Sequence, residues 1–338
     1  MRTDPLDLTF ACELEAQPLV DLINNPAVIP FLQRMRATVA LGIMDLSDER
    51  AEVVRCLNEK GVPVTAWLLL PREQGYWFNL DNHPQAAARY QQFKDWSHIN
   101  GLRWARIGLD IEPDIRFLRL LSANRLEGLA RLVEHAFNTP RLRRGTRAYG
   151  ALVEQIHTDG WEVEAYQFPF IVDERMAHST LLQRVTGLVN LQVDREILML
   201  YSSFLRPWGQ GVLWSYAPQA RGIGVGITGK GMETEMSLDV RPLSWAELQT
   251  DLTLARGHTE NIFIYSLEGC VQQNFLPLLE EMDWHDEVKL PILAAQRINA
   301  YRKLGQRLLW AASRPAWLLF ALALAISAGT LLRRRKRW

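Results

Sequence analysis

The sequence predicts an α/β protein: a (β/α)8 TIM-type barrel followed by a C-terminal single transmembrane helix. Three observations lead there. Eight short runs of alternating apolar character are separated by stretches of helical period, and strand then helix repeated eight times is the pattern of that barrel. The chain has 338 residues, 48% of them apolar, enough to bury one large core. Residues 316–332, AWLLFALALAISAGTLL, carry no charge and run directly into RRRKRW, which reads as one membrane span with a basic tail.

In order, the strands are LTFACELE (8–15), TVALGIMD (38–45), PVTAWLLL (63–70), ARIGLDIE (105–112), EVEAYQFP (162–169), EILMLYSS (196–203), GIGVGITG (222–229) and NIFIYSLE (261–268). Helical patterns stand between most of them, as in SDERAEVVRCLNEKG, PQAAARYQQFKDWSHI, ERMAHSTLLQRVTG and SWAELQTDLTLARG; another, VQQNFLPLLEEMDW, follows the last strand. An open doubly wound sheet is the alternative, but its Gly-rich first turn with a ribose-binding acid is missing. No Gly-, Pro- or Ser-rich linker interrupts residues 1–290, so these form the barrel. Residues 291–314 form a basic amphipathic connecting helix suited to an anionic lipid surface, and 315–338 the span and tail.

Charge and cysteines exclude several classes. Acids and bases balance at 38 each, so no global field draws nucleic acid. Cys12, Cys56 and Cys270 are far apart without zinc or redox spacing, and read as buried thiols. Asp81 and His83 share one turn, which is too little for a metal site, and no cofactor is implied. The N-terminus has no apolar segment of the signal-peptide kind, which favours a cytoplasmic barrel on a C-terminal anchor. Sidedness stays open, and a periplasmic or extracellular body with it: five Lys/Arg after the span face Arg297, Arg302, Lys303, Arg307 and Arg314 before it.

Parity within the strands then locates chemistry. In the fourth, Ala105, Ile107, Leu109 and Ile111 take the helix-facing side, whereas Arg106, Gly108, Asp110 and Glu112 point inward. The first strand sends Thr9, Ala11, Glu13 and Glu15 inward, and the seventh opposes Ile223, Val225 and Ile227 to Gly224, Gly226 and Thr228. Active sites of this fold sit at the C-terminal strand ends, where the acids of GLDIEPD (Asp110, Glu112, Asp114) fall. Buried carboxylates are costly unless a base compensates them or a reaction uses them; helix capping is the bland alternative. At i and i+2 on one strand, Asp110 and Glu112 lie roughly 6 to 7 Å apart. Repulsion raises one pKa, which favours Glu112 as a protonated general acid and Asp110, close to Arg106, as its ionised partner. Glu13, Asp45 and Glu268 at strand ends, with Trp67 and Gln167 on the third and fifth strands, are candidates to line the substrate pocket. Aromatic loops add Trp77 beside Tyr76 and Phe78 after the third strand, and Trp208 with Phe204, Trp214 and Tyr216 after the sixth.

The run Gly108-Leu109-Asp110-Ile111-Glu112-Pro113 resembles the strand-four signature of chitinase-like glycoside hydrolases of family 18, which ends in Asp-x-Glu. The resemblance implies Glu112 as general acid, Asp110 as the carboxylate beside it, and Tyr201 of Met199-Leu200-Tyr201 orienting a substrate N-acetyl group. Departures are plain: Ser202 stands where that family has Asp, and Gly108 and Ala105 replace its two earlier acids. The expectation is a membrane-anchored protein acting on a glycan or glycoconjugate by carboxylate acid/base catalysis. GVGITGKG (224–231) has P-loop spacing up to its Lys but not its Ser/Thr, and Gly229, Lys230 and Gly231 instead offer a phosphate site for a phosphorylated or nucleotide-linked sugar. A non-catalytic glycan- or protein-binding barrel is the remaining alternative.

Overall fold

The structure is a computed structural model that describes residues 6–117, 125–229, 241–284 and 286–314. Eight parallel strands close a barrel in chain order: β1 (Asp7–Cys12), β2 (Thr38–Ile43), β3 (Val64–Leu68), β4 (Arg106–Asp110), β5 (Glu162–Gln167), β6 (Arg195–Met199), β7 (Gly222–Gly226) and β8 (Asn261–Tyr265). β1 completes the ring, with Thr9 opposite Thr38 on one side and Phe263 on the other.

Alternation along the strands sorts the apolar residues into two cores. Phe10, Leu41, Leu68, Leu109 and Ile264 face the helices in the larger one. Ala11, Ala40, Trp67, Tyr166, Met199 and Phe263 fill the lumen. Each fully buried large side chain contributes roughly 1.5–3 kcal/mol, so the register that keeps both faces covered is strongly fixed. Gly108 and Gly224 make lumen room: a Cβ on Gly108 would lie 2.8 Å from the Tyr166 hydroxyl, and one on Gly224 3.3 Å from the Tyr201 ring.

An ionic layer floors the barrel. Arg195 pairs with Asp7 at 2.6 Å and Glu164 at 3.3 Å, and Arg106 reaches Glu162 at 3.5 Å and Asp7 at 3.9 Å. Burial raises the Glu164 pKa, and the nearby Arg195 and Arg106 charges oppose the rise. Arg106 is thus not the partner of Asp110: four residues along a strand separate them by about 13 Å.

Several expected elements differ at their ends. Ile227 lies beyond the last residue of β7 and joins the lumen core, so strand parity no longer governs it. Glu15 is exposed at the N-cap of the helix Ala16–Ile23. The segment read as one helix over 174–187 is two, Phe170–Met176 and Leu181–Thr186. Cys12 and Cys270 are buried, whereas Cys56 is partly exposed.

The helix Ile292–Ala312 lies along the helices Gly209–Tyr216 and Phe170–Met176. Buried Arg302 fastens it: Nε donates to Asp173 at 2.9 Å, Nη1 to the Ser215 carbonyl, and the guanidinium lies 3.6 Å from the centre of the Tyr216 ring. Gly211 permits close approach, because a Cβ there would meet the Ala294 Cβ at 2.6 Å. Among the described residues no helix is long and apolar enough to cross a membrane; the expected span and tail, 315–338, lie outside them.

Candidate active site

The C-terminal mouth of the barrel brings three carboxyl groups together. Asp110 is the last residue of β4, and the chain beyond it is held by the loop after β3: Phe78 N–H donates to the Asp110 carbonyl at 2.9 Å, and Glu112 N–H to the Phe78 carbonyl at 3.1 Å. Pro113 then has no N–H to extend the pairing. Asp110 and Glu112 keep only 1% and 6% exposure, facing Glu13 at the end of β1.

Hydrogen bonds assign the protons. Trp67 Nε1 donates to Asp110 Oδ2 at 3.1 Å. Tyr265 donates to Glu13 Oε2 at 2.7 Å, and the Tyr76 hydroxyl donates to Glu13 Oε1. Burial is the largest force on all three acids and raises each pKa; the Glu13 charge raises Asp110 further, and the Asp110 and Glu13 charges raise Glu112. The hydrogen bond between Asp110 and Glu112 raises the glutamate and lowers the aspartate. Burial and mutual charge thus drive both Asp110 and Glu112 well above the ordinary carboxylate range, so the pair holds a proton between them.

Around them stand Trp67, Trp77, Tyr166, Tyr201 and Tyr265. The space they enclose is about 20 Å³, room for one water. Tyr201 lies just past β6 with its ring 5.9 Å from that of Tyr265, and burial together with the three carboxylates drives its pKa up. Glu112, Met199 and Tyr201 also line a second, apolar cavity of about 280 Å³ that opens outward past Phe168, Phe170 and Phe204.

Of the residues singled out in the sequence, Glu112, Asp110, Tyr201, Glu13, Trp67 and Trp77 meet here, and four others do not. Gln167 is on the opposite parity from Tyr166 and lies buried outside the lumen, its amide donating to the Val189 carbonyl at 3.1 Å. Asp45, beyond the end of β2, is held by Arg50 at 2.7 Å; burial raises its pKa, but Arg50 and Ser47 together outweigh that and bring it down to about 2. Trp208 is on the outer surface under Arg297, 5.2 Å from its ring centre. Glu268 is in the helix Leu267–Gln272 after β8, accepting from the Glu13 backbone N–H at 3.3 Å behind the pocket; burial pushes its pKa up to about 7.

Further residues settle in other roles. Asp114 is clamped by Arg116 at 2.5 Å, and Asp81 by Arg141 at 2.5 Å. Ser202 donates to Asp251 of the helix Trp245–Arg256, whose pKa burial pushes up to about 7. Lys230 and Gly231 lie outside the described residues. Tyr166, Phe263 and Tyr265 line the pocket without having been singled out; the alternation that places Glu164 and Asp110 inward was the available signal.

No family model matches the chain, and no curated protein matches it. Solved structures with a similar fold include the glycoside hydrolase domain of PgaB (BpsB) from Bordetella bronchiseptica, at 10% identity and TM-score 0.48, covering 82% of this chain and 98% of that one. Another is a D-allulose 3-epimerase from Methylomonas sp., at 12% identity and TM-score 0.42, covering 88% and 98%. Saccharomyces cerevisiae Gas2p in complex with laminaripentaose has 12% identity and TM-score 0.42, covering 78% of this chain and 57% of that one. Likeness this distant carries nothing about activity.

Proposed function

We propose that the barrel cleaves glycosidic bonds, with Glu112 as general acid, Asp110 as its ionised partner and Tyr201 orienting the sugar. One observation carries this: a buried Asp110–Glu112 pair at the barrel mouth, which burial and mutual charge keep partly protonated. Glycoside cleavage needs a carboxyl group held protonated near neutral pH beside the leaving oxygen. Asp110 is engaged with Glu112, so it does not attack the opposite face of the sugar. The nucleophile on this reading is the substrate's own N-acetyl oxygen, in line with the family 18 resemblance of GLDIEP. Tyr201 lines both cavities, which supports its holding that group on this reading. Residues 315–338 anchor the protein in a membrane on the same reading, by their uncharged run and basic tail.

Glu112→Gln keeps the shape and removes the proton. It is expected to cut turnover of a panel of chromogenic glycosides, N-acetylglucosaminides included, by about 10² to 10⁴, with the melting temperature near wild type. Turnover left intact in Glu112→Gln refutes the assignment.

A binding barrel is the second reading, favoured by the inner space of about 20 Å³ and by Tyr166 filling the place that a side chain at 108 would need. Wild-type protein that binds oligosaccharide and cleaves none of the panel decides for it.

A further inference from the structure

The apolar cavity at Glu112 adjoins a second one outside the barrel. Its outer part is walled by Pro169, Phe170, Leu205 and Val212, and the same four residues wall a second groove of about 560 Å³ along the helix Ile292–Ala312. That groove passes Tyr301 and Gly305 and finishes at Leu308 and Leu309. From Ile298 to Leu309 the helix advances about 16 Å, half of a bilayer's hydrocarbon thickness of about 30 Å. Two adjoining apolar cavities with these four walls in common thus line a trough from a carboxyl pair to the last turns of a helix. Just beyond that helix, at 316–332, begins the segment whose sequence reads as a membrane span.

Leu205, Tyr301 and Leu308 are 52%, 70% and 62% exposed along this trough, an apolar surface that calls for a cover. Lys303 and Arg307, on the same helix, are exposed and basic, the charge that an anionic leaflet attracts. A polar glycan would gain little from this lining, whereas a hydrocarbon chain gains about fourfold in affinity for each methylene buried.

We propose that the substrate is a lipid-linked saccharide, its sugar at Glu112 and its hydrocarbon chain in the trough between Phe170, Leu205 and Leu308. This rests on the glycoside-cleaving reading and names the substrate class for the same site. Gly305 keeps the wall of the trough low between Tyr301 and Leu308, and Arg302 of the same helix holds the wall to the barrel through Asp173.

Two measurements on the full chain in phosphatidylcholine nanodiscs separate the parts of the proposal. In the first, an alkyl N-acetylglucosaminide with a diazirine at the end of its tail is photolysed, and crosslinked peptides are identified by mass spectrometry. Labelling is expected in segments 204–212 and 298–309, and to fall at least about tenfold in Leu205→Glu and in Leu308→Glu, which alter exposed positions and leave the core intact. Labelling that is equal in the variants, or confined to other segments, overturns the trough assignment. In the second, kcat/KM is compared for methyl and hexyl N-acetylglucosaminides. A hexyl chain that buries four methylenes is expected to raise it on the order of 10²-fold, and Leu308→Glu to bring the ratio toward one. Turnover that depends on Glu112 but ignores tail length sinks the lipid-linked substrate and leaves the glycosidase. Labelling in the trough with turnover indifferent to Glu112→Gln sinks the glycosidase and leaves a lipid site.

Discussion

Glu268→Gln isolates the cost of one buried acid. The carboxyl sits behind the pocket, where burial outweighs the Glu13 N–H and the Ser266 hydroxyl that favour its charge, so its pKa rises from 4.5 to about 7. The native state therefore holds a proton that the unfolded chain has already released between those two values. Stability is full below pH 4.5, falls as pH rises through the window, and levels off above 7. At 1.36 kcal/mol per unit, the loss is at most about 3 kcal/mol. Glutamine keeps an oxygen to accept from Glu13 N–H and cannot ionise. The variant is expected to match wild type in urea midpoint near pH 4.5 and to exceed it by up to about 3 kcal/mol at pH 8. Asp251, Asp110 and Glu112 titrate in the same direction in both proteins, so the difference between the two curves belongs to Glu268 and to Glu13, whose charge acts on it. Parallel curves from pH 4.5 to 8 would show that Glu268 is not buried against the back of Glu13 as described.

Asp110→Asn removes the largest charge acting on Glu112, so the alkaline limb of the kcat/KM profile is expected to move to lower pH; an unmoved limb separates the two acids. Arg50→Met is expected to cost about 2–4 kcal/mol by thermal melting, because it leaves without a donor the Gly42 and Leu14 carbonyls that fully buried Arg50 meets at 2.8 and 3.0 Å. Gly108→Ala forces the Tyr166 hydroxyl aside and is expected to destabilise by about 1–3 kcal/mol; an unchanged melting temperature would mean that the ring has room to move.

Barrel architecture was legible because eight alternating runs demand two buried faces each. β1 and β4 show it: Phe10 and Leu109 face helices, Ala11 and Asp110 the lumen, as their parity requires. Parity lost its force where strands stop. Asp45, Ile227 and Glu268 lie past the last paired residues Ile43, Gly226 and Tyr265, and the turning chain carries them elsewhere. Gln167 failed for the opposite reason: it is inside β5, and counting from Glu164 places it outward. Trp208 shows that an aromatic loop residue packs by local geometry that spacing does not encode. The bond from Tyr76 to Glu13 joins residues 63 apart, and only the folded loop after β3 creates it.

Among the described residues, the ionic floor leaves this barrel a single door. Arg106, Arg195 and Glu164 close the far end beneath the aromatic layer of Trp67, Tyr166 and Phe263, so no ligand passes through the ring of strands. Whatever enters at the rim leaves by the rim. Any two-part reaction there runs in strict order, because the first fragment must clear the opening before water or an acceptor can take its place. An inhibitor lodged across Tyr201 and Phe168 would then trap a fragment inside as effectively as it keeps fresh substrate out.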